Sequence, residues 1–199
     1  MYTIVGLGNP GDEYVDTRHN VGWAVLSAFV ETHALPIFER SSRYACLLSE
    51  GIYEEEDLKI LLPTTFMNNS GQSLARYFKD YDRKHADKLI VVHDDIDLPL
   101  GTVRVSYDRG AGGHNGIQSI INTMTTKRFI RVRIGIARKN FFGVLERPRG
   151  EVLSTFVLGK FTKREREQLT EVNKKVDEAL THIIKKGVEH AMQEMNKRE

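Results

Sequence analysis

Two short apolar runs, Tyr2–Leu7 (YTIVGL) and Lys88–His93 (KLIVVH), set the first limit on what this chain can become. Both are short and rich in β-branched residues, so both read as buried strands. Around them the periodicity changes. Val21, Val25, Leu26, Phe29 and Val30 follow helical spacing between Asn20 and His33, with Asn20 a candidate cap. Arg43–Ser49 and Leu58–Pro63 read as paired strands separated by the acidic turn Glu54-Glu55-Glu56-Asp57. Thr64–Gly71 is a strand-to-helix junction that feeds a helix through Leu74, Ala75, Tyr77 and Phe78.

Beyond Lys88–His93 the acidic run Asp94-Asp95-Ile96-Asp97 reads as a solvated turn, and Thr102–Tyr107 as another strand. A glycine-rich loop at Gly110–Gly116 leads into a helix carrying Ile117, Ile120, Ile121 and Met124. Phe129–Ala137 alternates Arg131 and Arg133 with Val132 and Ile134, which predicts a half-exposed strand with arginines on one face. Asn140–Gly159 has no clear period and reads as a loop. A capping box at Thr162 and Glu165 opens a last amphipathic helix, expected over about 163–196.

Strands alternating with helices predict an α/β fold, a three-layer α/β/α sandwich around a mixed, mostly parallel sheet. With 199 residues and no repeat or linker, one domain spanning 1–199 is expected. The single cysteine, Cys46, excludes an internal disulfide; its apolar surroundings make it core filler, not a nucleophile. The N-terminus enters a strand with no basic-then-apolar leader, and no apolar run approaches ~18 residues. A cytosolic protein without a membrane partner is therefore expected. The net charge of +2 is uninformative, but residues 127–149 carry eight Lys/Arg against one acid, Glu146. That patch suits a polyanion, although a solvated basic face is the commoner meaning of such a run.

Polar residues gather where strands end and helices begin, the edge along which open α/β sheets bind ligands. His19 sits at one such junction and can take a proton near neutral pH. Gly6-Leu7-Gly8-Asn9-Pro10-Gly11 matches a dinucleotide fingerprint literally, with Glu31 downstream. Yet Pro10, Asp12 and Glu13 stand where a helix should open onto a pyrophosphate, so a nicotinamide cofactor is not expected. The glycines at 110–116 lack Gly-Lys-Ser/Thr and do not make a phosphate loop. His93, Asp94, Asp95 and Asp97 come from one strand end, where alternation splays neighbours apart, so no metal is expected either. Asp94 instead could hold the His19 imidazole, fixing its tautomer and steadying its protonated form. Asn9, Asn68 and Asn115, at comparable junctions, would grip a peptide-like chain without charge. No Gly-x-Ser-x-Gly accompanies them, which points to hydrolysis by an activated water.

The stretches GLGNPG-x-x-Y-x-x-TRHNVG, PTTFMNNSG, VHDDIDLPLG and GAGGHNGI, in this order, resemble bacterial-type peptidyl-tRNA hydrolases. The similarity spans essentially the whole chain. It implies a monomeric, metal-free enzyme without a cofactor that cleaves the ester between a peptide and the 3′-terminal ribose of tRNA. By position, His19 would activate water, Asp94 would stabilise its protonated form, and Asn9 would separate N-blocked from free aminoacyl-tRNA. Tyr14, Phe66, Asn68 and Asn115 would line the site, with Met67 and His114 packed around them. Arg133, with Arg104, Arg128 and Arg131, would contact phosphates, and stalled ribosomal subunits are a further candidate partner. A non-catalytic RNA-binding protein on the same scaffold is the alternative. The chain departs from the family pattern after Ala137, where ARKNFFGVLERPRGEV delays Pro148 and adds charge.

Overall fold

The computed structural model describes residues 1–80 and 87–197. Among the described residues seven strands are present: β1 (Tyr2–Gly6), β2 (Glu39–Ser41), β3 (Cys46–Tyr53), β4 (Glu56–Pro63), β5 (Leu89–Pro99), β6 (Val103–Tyr107) and β7 (Ile130–Ala137). The helices are α1 (Val21–Thr32), α2 (Ser70–Asp80), α3 (Asn115–Met124), α4 (Gly150–Leu158), α5 (Lys163–Lys186) and α6 (Val188–Met195). The strands form one sheet in the order β2-β3-β4-β1-β5-β7-β6. Its four central members, β4, β1, β5 and β7, run parallel, and the edges are antiparallel.

One face of the sheet, with Ile4, Ile60, Ile90 and Val132, is covered by α1, α5 and α6. The other, with Val5, Leu61, Val91 and Phe129, is covered by α2 and α3. The expected three-layer sandwich is therefore the observed one. From β1 the chain builds β2, β3 and β4 on one side and then crosses to β5 on the other, so the exit of β1 is a switch point where a cleft must open. Gly22 lets the start of α1 descend into that crevice. A Cβ there would lie 2.5 Å from the Val92 carbonyl oxygen and 2.7 Å from that of Leu7.

The structure corrects several boundaries. The strand expected at 43–49 is shifted to Cys46–Tyr53, and its hairpin turns on Glu54 and Glu55, at φ +48° and +63°. The acidic run is not a turn: β5 continues through it to Pro99, pairing Asp94 with Ile134 and Asp95 with Gly135 before a bulge. Gly135 makes the bulge possible, since a Cβ would fall 2.0 Å from the Pro99 oxygen. β7 is buried along nearly its whole length rather than half-exposed. Part of the expected 140–159 loop is helix α4, a nine-residue helix whose half-buried Leu153, Phe156 and Val157 make too short a stripe to stand out among the charged and turn-forming residues before it. The C-terminal helix breaks at Gly187, whose φ of +84° ends α5. Among the described residues no helix is long and apolar enough to cross a membrane.

The capping box is real, and it holds more than a helix. Glu165 accepts from the Thr162 amide at 2.7 Å, from Arg18 Nη2 at 2.8 Å and from Arg138 Nε at 2.8 Å. Arg18, itself buried, also donates to the Gly159 and Lys160 carbonyls, at 3.0 and 3.1 Å. The residue beside His19 is thus clamped to the start of α5. Burial would push the Glu165 carboxyl up, but Arg138, the Thr162 amide and Arg18 hold it down at about 2. Its contribution to stability is complete above the ordinary carboxyl range and disappears as pH falls through about 2. Thr162→Ala should cost about 1 kcal/mol, measured by urea unfolding, because one of the two reciprocal cap bonds is lost.

Candidate active site

Four chain segments meet at the switch point. The exit of β1 brings Asn9, and a 3-10 turn at Arg18–Asn20 presents His19 just before α1. A second 3-10 turn, Met67–Asn69, follows β4, and β5 supplies Asp94 from inside the strand. The start of α3 contributes Asn115 and its N-cap His114.

His19 Nδ1 lies 2.9 Å from Asp94 Oδ1, and His114 Nε2 lies 3.0 Å from the same oxygen. The proton positions follow from the backbone. His114 caps α3: its Nδ1 accepts from the Gly116 and Ile117 amides at 3.1 and 3.3 Å. The ring proton must then sit on Nε2 and point at Asp94. Asp94 is 3% exposed and is held well below the usual carboxyl range. Burial opposes that shift; the charges and hydrogen bonds of His19 and His114 override it. As an ionised acceptor, Asp94 draws the His19 proton to Nδ1 and leaves Nε2 unprotonated. His19 Nε2 makes no hydrogen bond among the described residues. Burial lowers the His19 basicity, but the Asp94 carboxylate more than compensates, so the imidazole titrates above its ordinary value.

Asn9 is set with similar care. Its Oδ1 accepts from the Met67 amide at 2.8 Å, which leaves the side-chain NH₂ as the group free to meet a ligand. Asn20 bonds both sides of the Asn9 peptide, its Oδ1 accepting from Asn9 N and its Nδ2 donating to Asn9 O, at 2.8 and 2.9 Å. Asn20 was expected to cap α1; it makes no cap bond and anchors Asn9 instead. Two hollows share His19. One, about 130 Å³, runs past Asp94, His114, Arg133 and the Gly110–Gly113 loop. The other, about 440 Å³, is wider and is lined by Asn9, Phe66, Met67, Asn68 and Asn115. Asn68 and Asn115 are exposed to it, and Tyr14 meets Phe66 edge-on with ring centroids 6.2 Å apart.

The cleft, its base and its neutral amide donors are now defined, and the whole chain can be set beside known proteins. A family model described as peptidyl-tRNA hydrolase covers residues 3–199. The chain belongs to the peptidyl-tRNA hydrolase family. It is 41% identical over 195 residues to a peptidyl-tRNA hydrolase from Gloeobacter violaceus, covering 98% of this chain and 93% of that one. Against one from Thermodesulfovibrio yellowstonii it is 37% identical over 198 residues, 99% and 100% of the two chains. The crystal structure of peptidyl-tRNA hydrolase from Acinetobacter baumannii superposes with a TM-score of 0.87 at 30% identity, covering 100% of this chain and 96% of that one.

Against this family background, the cleft gathers His19, Asp94, Asn9, Phe66, Met67, Asn68, His114 and Asn115, with Tyr14 at its edge through Phe66. The arginines are placed differently. Arg133 lies in the cleft wall with its Nε on Asp95 at 2.7 Å, and Arg131 is buried, holding the Arg109 and Gly110 carbonyls. Arg104 lines neither hollow and binds the Met195 carbonyl at 2.8 Å. Arg131 and Arg133 thus brace neighbouring groups, whereas Arg128 is exposed. Three residues escaped sequence reasoning: Asn20, Arg18, and His114 as second donor to Asp94. A histidine one position before a helix was the only available hint for the last.

His19, Asp94 and His114 also place ligand-type atoms within 4.8 Å of one another, as a metal site would. The cap on α3 argues against that use. A cation on His114 Nε2 would drive the proton to Nδ1, against two backbone N–H groups already aimed there. The trio is wired for protons.

Proposed function

We propose that this protein hydrolyses the ester joining a peptide to the 3′-terminal ribose of tRNA, acting on N-substituted aminoacyl-tRNA as a cytoplasmic monomer. The observation that carries this reading is the 2.9 Å bond from His19 Nδ1 to Asp94, with Nε2 left free on the cleft. Water held by Nε2 attacks the ester carbonyl carbon while its proton passes to the ring. The tetrahedral intermediate collapses, breaking the bond to the ribose oxygen, and the imidazolium returns the proton to that oxygen. The products are a peptide carboxylate, its acid proton released to solvent, and tRNA with a free 3′-hydroxyl. An ester needs no more than a placed base and donors; general-base assistance contributes ~10²–10⁴-fold. Asp94 stabilises the imidazolium, and His114 keeps Asp94 ionised and oriented.

The Asn9 amide NH₂ would donate to the acyl carbonyl that only a blocked α-nitrogen carries. A free α-ammonium offers donors to a donor and is rejected. Asn68 and Asn115 would bond the following peptide units, Tyr14, Phe66 and Met67 would flank the terminal nucleotide, and Arg133 stays as a cation in the wall. Stalled ribosomal subunits are a further partner in this reading. Incubation with N-acetyl-aminoacyl-tRNA should release free tRNA, and unblocked aminoacyl-tRNA should be spared; equal cleavage of both, or of neither, would defeat the proposal. Asn9→Ala should lower kcat/KM on the blocked substrate about 3- to 10-fold, the weight of one neutral hydrogen bond, and narrow the preference for it.

A further inference from the structure

Residues 138–149, between β7 and α4, form an arm closed by its own hydrogen bonds. Lys139 and Leu145 make an antiparallel bridge. Glu146 N donates to Arg138 O at 2.8 Å, and Asn140 N to Val144 O at 2.9 Å. The Asn140 side chain closes the tip, its Oδ1 accepting from the Phe142 and Val144 amides, each at 3.0 Å. Phe141 and Phe142 are 98% and 83% exposed, with ring centroids 5.6 Å apart. Two phenyl rings held in water on a defined turn are a surface waiting for a flat apolar partner.

The arm stands beside the cleft. It leaves β7 at Ala137 and enters α4, whose Leu153, Ser154 and Val157 line the hollow next to His19. Arg147 Nε bonds Asp97 in that hollow's wall at 3.1 Å, and Arg138 shares Glu165 with Arg18. With those two cations engaged, Lys139 and Arg149 have no ion-pair partner among the described residues, and both are exposed.

Resting on the hydrolase reading, we propose that this arm is a stacking platform for the unpaired 3′ nucleotides that lead to the ester. Base faces are open to aromatic stacking in a single strand and covered in a duplex, and free cations on the same arm meet the connecting phosphates. Stacking of this kind carries no sequence preference, which suits one enzyme serving many tRNAs.

The test compares wild type with a Phe141→Ala/Phe142→Ala double variant on two substrates: N-acetyl-aminoacyl-tRNA and an N-acetyl-aminoacyl ester of adenosine alone. The double variant should raise KM on tRNA roughly tenfold or more with kcat retained, and should match wild type on the adenosine ester. A Phe141→Trp/Phe142→Trp variant should bind tRNA at least as well as wild type. An unchanged KM on tRNA, or an equal loss on both substrates, overturns the platform. Wild-type inactivity on both would instead overturn the hydrolase reading beneath it.

Discussion

His19→Ala should reduce release of tRNA from N-acetyl-aminoacyl-tRNA by ~10²–10⁴-fold, the usual weight of a positioned general base. The loss should fall on kcat and leave KM nearly unchanged, since the ring meets the attacking water rather than the bound nucleotides. Folding should survive. Asp94 keeps the His114 Nε2–H bond at 3.0 Å, so the carboxylate is not orphaned in the core. His19→Asn is the companion variant: its amide can still donate to Asp94 but offers no basic nitrogen. If His19→Ala is slow because the site has slackened, His19→Asn should recover activity; if Nε2 is the base, both should be equally inert. Turnover by His19→Ala close to wild type would remove the assigned base altogether.

The sequence disclosed this pair because His19 follows the exit of β1 and Asp94 follows the apolar run of the neighbouring parallel strand β5, which brings both to one edge although β5 itself continues to Pro99. Legibility ended where side chains answer to partners distant in sequence. The run Asp94–Asp97 looked solvated because its acidity argues against a strand interior. In the fold, Arg133 from the adjacent β7 answers Asp95, and two histidines answer Asp94, so β5 runs on through its charges. Arg131 and Arg133 share one face, as their spacing requires; what periodicity could not say was that the Gly110 loop and Asp95 cover that face. Helix α4 escaped notice for the opposite reason, since its stripe is only Leu153, Phe156 and Val157, half-buried and one turn long. Asn20 resembled a cap by its position, but a tertiary bond to the Asn9 peptide claimed it.

Asp94→Asn should separate the charge of the pair from its geometry, because both histidines bond the same oxygen, Oδ1. An asparagine with Oδ1 in that place can still accept from His19 Nδ1–H and His114 Nε2–H. The opposite amide orientation would aim N–H groups at two donors and is excluded by the cap on α3, which holds the His114 proton on Nε2. The tautomer of His19 is therefore preserved, and only the support for its protonated form is lost. Replacing a charge-assisted hydrogen bond by a neutral one costs about 1–3 kcal/mol, or roughly 5- to 150-fold in kcat at neutral pH. The pH profile gives the sharper reading. Neutral His19 is the active form, so activity falls as pH drops through its titration. Wild-type His19 titrates above its ordinary value because the carboxylate outweighs burial. With the charge removed, burial alone acts, and the acid limb of the kcat/KM profile should move to lower pH. The gap between variant and wild type should narrow as the medium becomes more acidic. An acid limb that stays in place would mean that some other group sets the protonation of His19, and the division of labour between Asp94 and His114 would have to be redrawn.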